Sequence, residues 1–380
     1  MSVRHNRVGS WEVRWTDAGN SKRSKSFRLK RDAERFDLQV KDAKQTGTLV
    51  RLDGGAETLD EYVEHTWTPI HAEPLAAKTA TRYAQLYDGH LSPALGGYEL
   101  RQLTPEIIGR WQADRLRTGA PVESTRKALT LLGGILQRAL EAGRIQSNPQ
   151  RLVRKAAPVP TAEVRPLAPE TVERVILALR SGAGRDDPST RRDIRELRDR
   201  DAVLVALLAY AGLRPQEMRA LRWGHVGERT LTVHAPKTRR HNTAPRSVRL
   251  LAPLAQDLRE WRLASGRPDD RAPVIPAMDG GEWTEAAFEL WRGRVWAAAL
   301  KAASVPYQRP YDLRHSFTSL LLHEGRSAIY VARQLGHSAT LTQNTYGHVI
   351  DELEDAPRIS AEDAIRQARA SSAEGRSGRL

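Results

Sequence analysis

Trp11, Val13 and Trp15 repeat at every second position of SWEVRWTD, and this alternation of apolar and polar residues predicts a strand. Ala18-Gly19-Asn20 supplies a turn, and SKSFRLK reads as a second strand. The period then lengthens. Ala33, Phe36, Val40 and Ala43 fall three or four apart in RDAERFDLQVKDAKQTG, which predicts a helix stopped by Gly47. Residues 1–52 are therefore expected to form a β-ribbon plus helix module. From 57 to 157 the spacing is helical in TLDEYVEHTW, KTATRYAQLYDGHL, TPEIIGRWQADRLRTG and STRKALTLLGGILQRALEAG, with Thr104-Pro105 and Ser124 as helix starts. RKAAPVPTAEVRPLAP follows, and Pro158, Pro160, Pro166 and Pro169 keep it extended as a linker.

Residues 165–350 mix both periods. DRDAVLVALLAYAG carries Leu204, Leu207, Leu208 and Ala211 on one stripe and ends at Gly212. Pro215 opens a new helix at once, so Arg214 sits at a tight corner with Glu217 three residues on, in reach of its guanidinium. An ordinary helix-capping arginine would look the same. RTLTVHA and RSVRLL alternate as two strands of a hairpin, joined by APKTRRHNTAP, a cation-rich loop that holds Lys237. RPYDLRHSFTSLLLHEG predicts a helix that buries Leu313, Phe317, Leu320 and Leu321, with Arg314 and His315 off that stripe. SAIYVARQL ends at Gly336, His337 follows, and TLTQNTYGH reads as a short helix carrying Tyr346. In 351–380, DELEDAPRISAEDAIRQARA holds a helical stretch suited to packing on a neighbouring subunit, and the final ten residues read as disordered. The expected fold is multidomain and mainly α with small β-sheets.

Charge changes the picture. Sixty Lys and Arg against 46 Asp and Glu give a formal net charge of +14, more than solubility asks for, and this favours a polyanionic partner. Lys22, Arg23, Lys25 and Arg28 cluster on the first hairpin without an acid among them. That suits groove or phosphate contact, although a solvated surface hairpin would read alike. Lys78, Arg126 and Lys127 are further candidates for phosphate contact. There is no cysteine, which excludes disulfides and thiolate metal sites. No apolar run approaches a membrane span or a secretory signal, so the expected location is the cytoplasm, with nucleoid association when bound to DNA. No G-x-x-x-x-G-K loop and no carboxylate cluster is present, and no cofactor or metal is expected.

AYAGLRPQE, PKT, YDLRH, LGHS and TYGH, in this order and spacing, resemble the active-site motifs of the tyrosine recombinase, or phage integrase, family. The first hairpin also resembles an arm-site-binding domain, and 57–157 a helical core-binding domain. The resemblance implies an α+β catalytic domain that recombines DNA at specific sites through a 3′-phosphotyrosyl intermediate. It implies that Arg214 and Arg314 hold the scissile phosphate, that Lys237 protonates the leaving 5′ oxygen, that His337 hydrogen-bonds the phosphate and that Tyr346 is the nucleophile. Glu217 fits the acid that supports the first arginine. It also implies DNA attachment sites as substrate, a homotetramer on two duplexes, and a directionality factor and a host DNA-bending protein as further partners.

One position departs from the family pattern. A histidine usually lies three residues before the second arginine, and here it is Tyr311. A phenol is a far poorer base than imidazole near neutral pH. Tyr311 is expected to hydrogen-bond the phosphate or Tyr346, with a packed aromatic as the other reading; His315 is expected in a supporting role, nearby in sequence but in another helical direction. A rival reading takes IYVARQLGHSATLTQNTY as a helix-turn-helix of a DNA-binding regulator, or of a recombinase relic without cleavage activity. That would leave Arg214, Glu217, Lys237 and Arg314 without a common purpose.

Overall fold

The computed structural model describes residues 3–6, 9–16, 22–46, 55–159, 166–185, 194–234, 245–352 and 358–377. The chain divides into two compact units, Met1–Thr161 and Ala162–Leu380.

The first unit begins with an antiparallel sheet of β1 (Val3–His5), β2 (Trp11–Thr16) and β3 (Lys22–Phe27), followed by α1 (Lys30–Gln45). The sequence pattern missed β1, which is too short to show a period. Val13 and Trp15 point from β2 into a small core with Ala33, Phe36 and Val40 of α1, while every residue of β3 before Phe27 is exposed.

A second core follows, made by α2 (Leu59–Tyr62), α3 (Ala77–Leu86), α4 (Pro105–Arg117) and α5 (Val122–Glu141). α2 and α3 run on as wider π-helical turns over Val63–Ala72 and Tyr87–Gly96. Each stretch contains a proline, Pro69 or Pro93, whose missing N–H and bulky ring rule out a regular i→i−4 ladder. Thr104 caps α4 by accepting the Ile107 N–H. Ser124 does not start α5: the helix begins two residues earlier, at Val122 after Pro121, because the fixed proline φ already sets the entry.

The second unit carries α6 (Pro169–Arg180), α7 (Ile194–Tyr210), α8 (Pro215–Arg219), the β4 (Thr230–Val233) and β5 (Arg246–Arg249) hairpin, α9 (Ala252–Ala264), α10 (Glu285–Trp291), α11 (Ala297–Ala302), α12 (Leu313–His323), α13 (Ala328–Leu335), α14 (Ala339–Glu352) and α15 (Ala361–Ser377). α7 is buried on every side from Asp201 to Tyr210, so it forms the axis of this unit rather than presenting one stripe.

The C-terminal helix corrects an expectation. Ala361 and Ile365 of α15 join this chain's own core, Ala368 is buried beside them, and Arg369 donates to Glu173 of α6 and Asp257 of α9. α15 thus docks its inner face on its own unit, and it continues to Ser377 where disorder was expected. Two buried carboxylates that need a cation explain the attachment. No helix among the described residues is long and apolar enough to cross a membrane.

Candidate active site

The end of α7 sets the geometry. Gly212 is left-handed (φ +60°), and a Cβ there would come within 2.5 Å of the Phe317 ring. This turn lets the chain reverse straight into α8, with Arg214 as its N-cap residue. The Arg214 backbone N–H and Nη1 donate to the two carboxylate oxygens of Glu217, each at 2.8 Å, and Nη2 lies 3.4 Å from the Gly336 carbonyl. The Arg214 side chain remains 35% exposed, so outward donors are left for a ligand.

Arg314, one residue into α12, behaves differently. It is only 3% exposed, and its Nη1 and Nη2 donate to the carbonyls of Gly212 and Leu335. The sequence pattern set it off the buried stripe; in fact the helix is enclosed on this side too, because α7 and the end of α13 close over it. Burial and the nearby Arg214 charge push its pKa down to about 10, which still leaves it a cation at neutral pH. Of the five N–H groups a guanidinium carries, two are spent on these carbonyls.

Tyr346 lies at a kink in α14 (φ −124°, ψ 17°) and is 3% exposed. Its hydroxyl is hydrogen-bonded to Nδ1 of His315. Burial raises the phenol pKa, and the bond with Thr318 and the charge of Arg314 offset only part of that. His315 is pushed below the usual histidine value, first by burial and then by Arg314 and Arg309, with Asp312 opposing. The pair at neutral pH is therefore a neutral phenol and a neutral imidazole, arranged so that a proton can pass from one to the other.

Of the two hydrogen bonds expected of Tyr311, the one to Tyr346 is made by His315 instead. The partner of Tyr346 is His315, which reaches it because the kink brings α14 back over α12. Tyr311 is 42% exposed and meets the His315 ring edge-on, with centroids 6.4 Å apart. It is not a packed aromatic.

His337 follows Gly336, the left-handed end of α13 (φ +69°). Its Nδ1 lies 3.1 Å from the Ser338 carbonyl, an arrangement that favours the proton on Nδ1. Its pKa is lowered, first by burial and then by Arg314, Arg214 and Arg246, against the Ser338 bond. Arg214 Nη2 and the Arg246 stem both reach Gly336, the residue before it, so His337 stands beside the arginine cluster. Lys237 lies outside the described residues.

Two residues escaped the sequence reading. Arg246 holds Glu217 through two 2.7 Å bonds, and Thr318 contributes to the surroundings of the Tyr346 hydroxyl. Arg246 opens the RSVRLL strand and Thr318 lies within the RPYDLRHSFTSLLLHEG helix, but neither carries a sign of a site role in the sequence. The only signal for Arg246 was its place just beyond the Lys237 loop.

Of the cations assigned to DNA contact, Lys22, Arg23, Lys25 and Arg28 are exposed, and Lys25 also covers the Phe36 ring at 4.7 Å. Lys78 and Lys127 are exposed, the latter 3.5 Å from Glu123. Arg126 is less available than expected, since its guanidinium turns in to the Ala156 carbonyl.

A sequence model of the Phage integrase family matches residues 186–352. Tyrosine recombinase XerD of Pseudomonas aeruginosa is 30% identical over 299 residues, which span 77% of this chain and 92% of that relative. The chain belongs to the tyrosine recombinase family. Tyrosine recombinase XerC of Xanthomonas axonopodis is 26% identical over 295 residues, or 77% of this chain and 87% of the relative. Among solved structures, a lambda integrase dimer bound to a COC′ core site superposes with a TM-score of 0.60 at 14% identity, covering 94% of this chain and 97% of that one. A lambda integrase tetramer bound to a Holliday junction gives 0.57 at 14%, covering 89% and 95%. At such identity the likeness is one of fold. As a tyrosine recombinase, the protein is a site-specific recombinase that breaks and rejoins DNA. The regulator reading also fits poorly with its second helix, where Thr342 and Tyr346 are buried.

Proposed function

We propose that Tyr346 attacks the scissile phosphate of a DNA attachment site and forms a 3′-phosphotyrosyl bond. The phenol oxygen bonds to phosphorus, the phosphorus–O5′ bond breaks, and the phenol proton passes to His315. Lys237 is the candidate to protonate the leaving 5′ oxygen. The broken strand's bond energy stays in the phosphotyrosyl ester, so a new 5′ hydroxyl can reverse the step without nucleotide hydrolysis. Arg214 offers its exposed donors to the non-bridging oxygens, while the buried Arg314 supplies fixed positive charge to the transition state. An arriving phosphate offsets the arginine field on His337 and favours its imidazolium, whose second ring nitrogen then donates to the phosphate.

The observation that carries this reading is the Tyr346–His315 bond beside Arg314, within one unit of one chain. Lambda integrase, solved as a dimer on a core site and as a tetramer on a junction, supports a homotetramer acting on two duplexes here. The basic β3 strand favours an integrase that holds a second kind of DNA site. The test is covalent capture on nicked duplexes tiled across the DNA that borders the gene. Wild-type protein should give a protein–DNA adduct resistant to denaturant, and Tyr346→Phe none. An adduct that survives Tyr346→Phe would assign the nucleophile elsewhere.

A further inference from the structure

Arg246 opens β5 opposite Val233, the last pair of the hairpin before the segment that carries Lys237. Its guanidinium is nearly out of solvent, at 14% exposure. Nη1 and Nη2 donate to the two oxygens of Glu217, each at 2.7 Å, and Nε donates to the Gln334 carbonyl at 2.9 Å. With one donor of each nitrogen committed, and the fork turned inward, Arg246 is poorly placed to meet DNA. Its stem also lines Gly336: a Cβ built there would stand 3.0 Å from Arg246 Cδ. One side chain therefore ties β5 to the end of α13, to the acid that supports Arg214, and to the turn that leads into His337.

The consequence lies in how Glu217 is shared. That carboxylate is 1% exposed and accepts from Arg246 twice, from the Arg214 N–H and from Arg214 Nη1, with Arg314 Nη1 at 3.9 Å. Burial alone would raise its pKa, yet the Arg246 and Arg214 bonds hold it below the ordinary carboxylate value. Were Arg246 absent, the acid would keep its charge only by drawing both forks of Arg214, or Arg314, toward itself. Those are the donors a phosphate needs.

We propose that Arg246 is a positioning residue for strand cleavage: by saturating Glu217 and the end of α13, it leaves Arg214 with its outward donors free and pins the β4–β5 pair to α13. This rests on the reading of Arg214 and Tyr346 as parts of the cleavage site.

The test compares Arg246→Met, Arg246→Lys, Glu217→Gln and the Arg246→Met/Glu217→Gln double variant in the full chain, on the nicked duplex that wild type captures. Single-turnover cleavage and duplex affinity are measured separately, with thermal melting as a check on folding. Arg246→Met should slow cleavage about 100-fold, the scale of a lost positioning interaction, with affinity within about threefold. Arg246→Lys, which keeps the charge but not the fork, should recover only part of the rate. The double variant should cleave no more slowly than Glu217→Gln. Wild-type cleavage by Arg246→Met, or multiplicative losses in the double variant, would overturn the proposal. Loss of rate only in proportion to a lowered melting temperature, with Arg246→Lys melting and cleaving like wild type, would also overturn it. Failure of the underlying reading looks different: Tyr346→Phe would still form the adduct.

Discussion

Arginine and lysine serve opposite physical ends in two regions of this molecule. On β3 the cations stand in water, with Lys22, Arg23 and Lys25 exposed along one short strand. In the second unit Arg314, Arg246 and Arg214 surround one buried carboxylate and the carbonyls of Gly212, Gln334, Leu335 and Gly336. Exposed charge attracts a polyanion at long range, is screened by salt, and tolerates some error in position. Desolvated charge acts over a few ångströms in a fixed direction, and each such cation must be wired to acceptors or destabilise the fold. The +14 balance alone does not distinguish the two; hydrogen-bond partners do.

The comparison is broken most completely at the phenol. Tyr346→Phe should abolish the denaturant-resistant adduct while duplex affinity, read by fluorescence anisotropy, stays near wild type. Next comes Arg314→Lys, which keeps a charge but cannot fork between the Gly212 and Leu335 carbonyls. Single-turnover cleavage should fall about 100-fold or more, and urea unfolding should show a loss of about 2 kcal/mol, the scale of a lost hydrogen bond to a charged group.

His315→Gln tests whether the proton leaves through the imidazole. The rate should fall about 100-fold, the lower range for a lost general base. In wild type the rate should hold as pH drops below about 6.5 and decline only at the lowered pKa of His315; in the variant that limb should vanish. The same shift has a stability counterpart. His315 and His337 stay neutral in the folded protein at a pH where the unfolded chain already binds protons. Stability should therefore fall as pH drops through about 6.5 and level off below the folded values. Urea midpoints at several pH values check this.

The smallest effect is expected on the exposed side. Replacing Lys22 and Lys25 by Ala should shallow the salt dependence of DNA binding by up to about two units of slope. Cleavage at saturating protein should not change. A cleavage defect there would erase the distinction between gripping and reacting cations.

Much of this was legible in the sequence, and the misses have physical causes. The alternation of Trp11, Val13 and Trp15 gave β2, and the Gly212 and Gly336 breaks bounded α7 and α13, because local period and left-handed turns are written locally. Arg214, Glu217, Arg314, His337 and Tyr346 could be named because their motifs occur together in one order. Arg246 could not, since its importance comes from acceptors 29 and 88 positions away in the chain. His315 was assigned a supporting role because the kink at Tyr346, which turns the phenol onto it, has no sequence signature. The docking of α15 on its own unit could not be read, because its apolar stripe is thin and the buried partners of Arg369 lie far back at Glu173 and Asp257.

Arg314 has a further implication. Gly212 and Leu335 lie at the C-terminal ends of α7 and α13, where backbone dipoles concentrate negative potential, and this guanidinium is the shared plug of both ends. It works as a keystone of the architecture, so erasing it damages two helix termini together. An inert but native-like protein for trapping assembled DNA complexes is better made at Tyr346, where one oxygen can be deleted without unseating a helix.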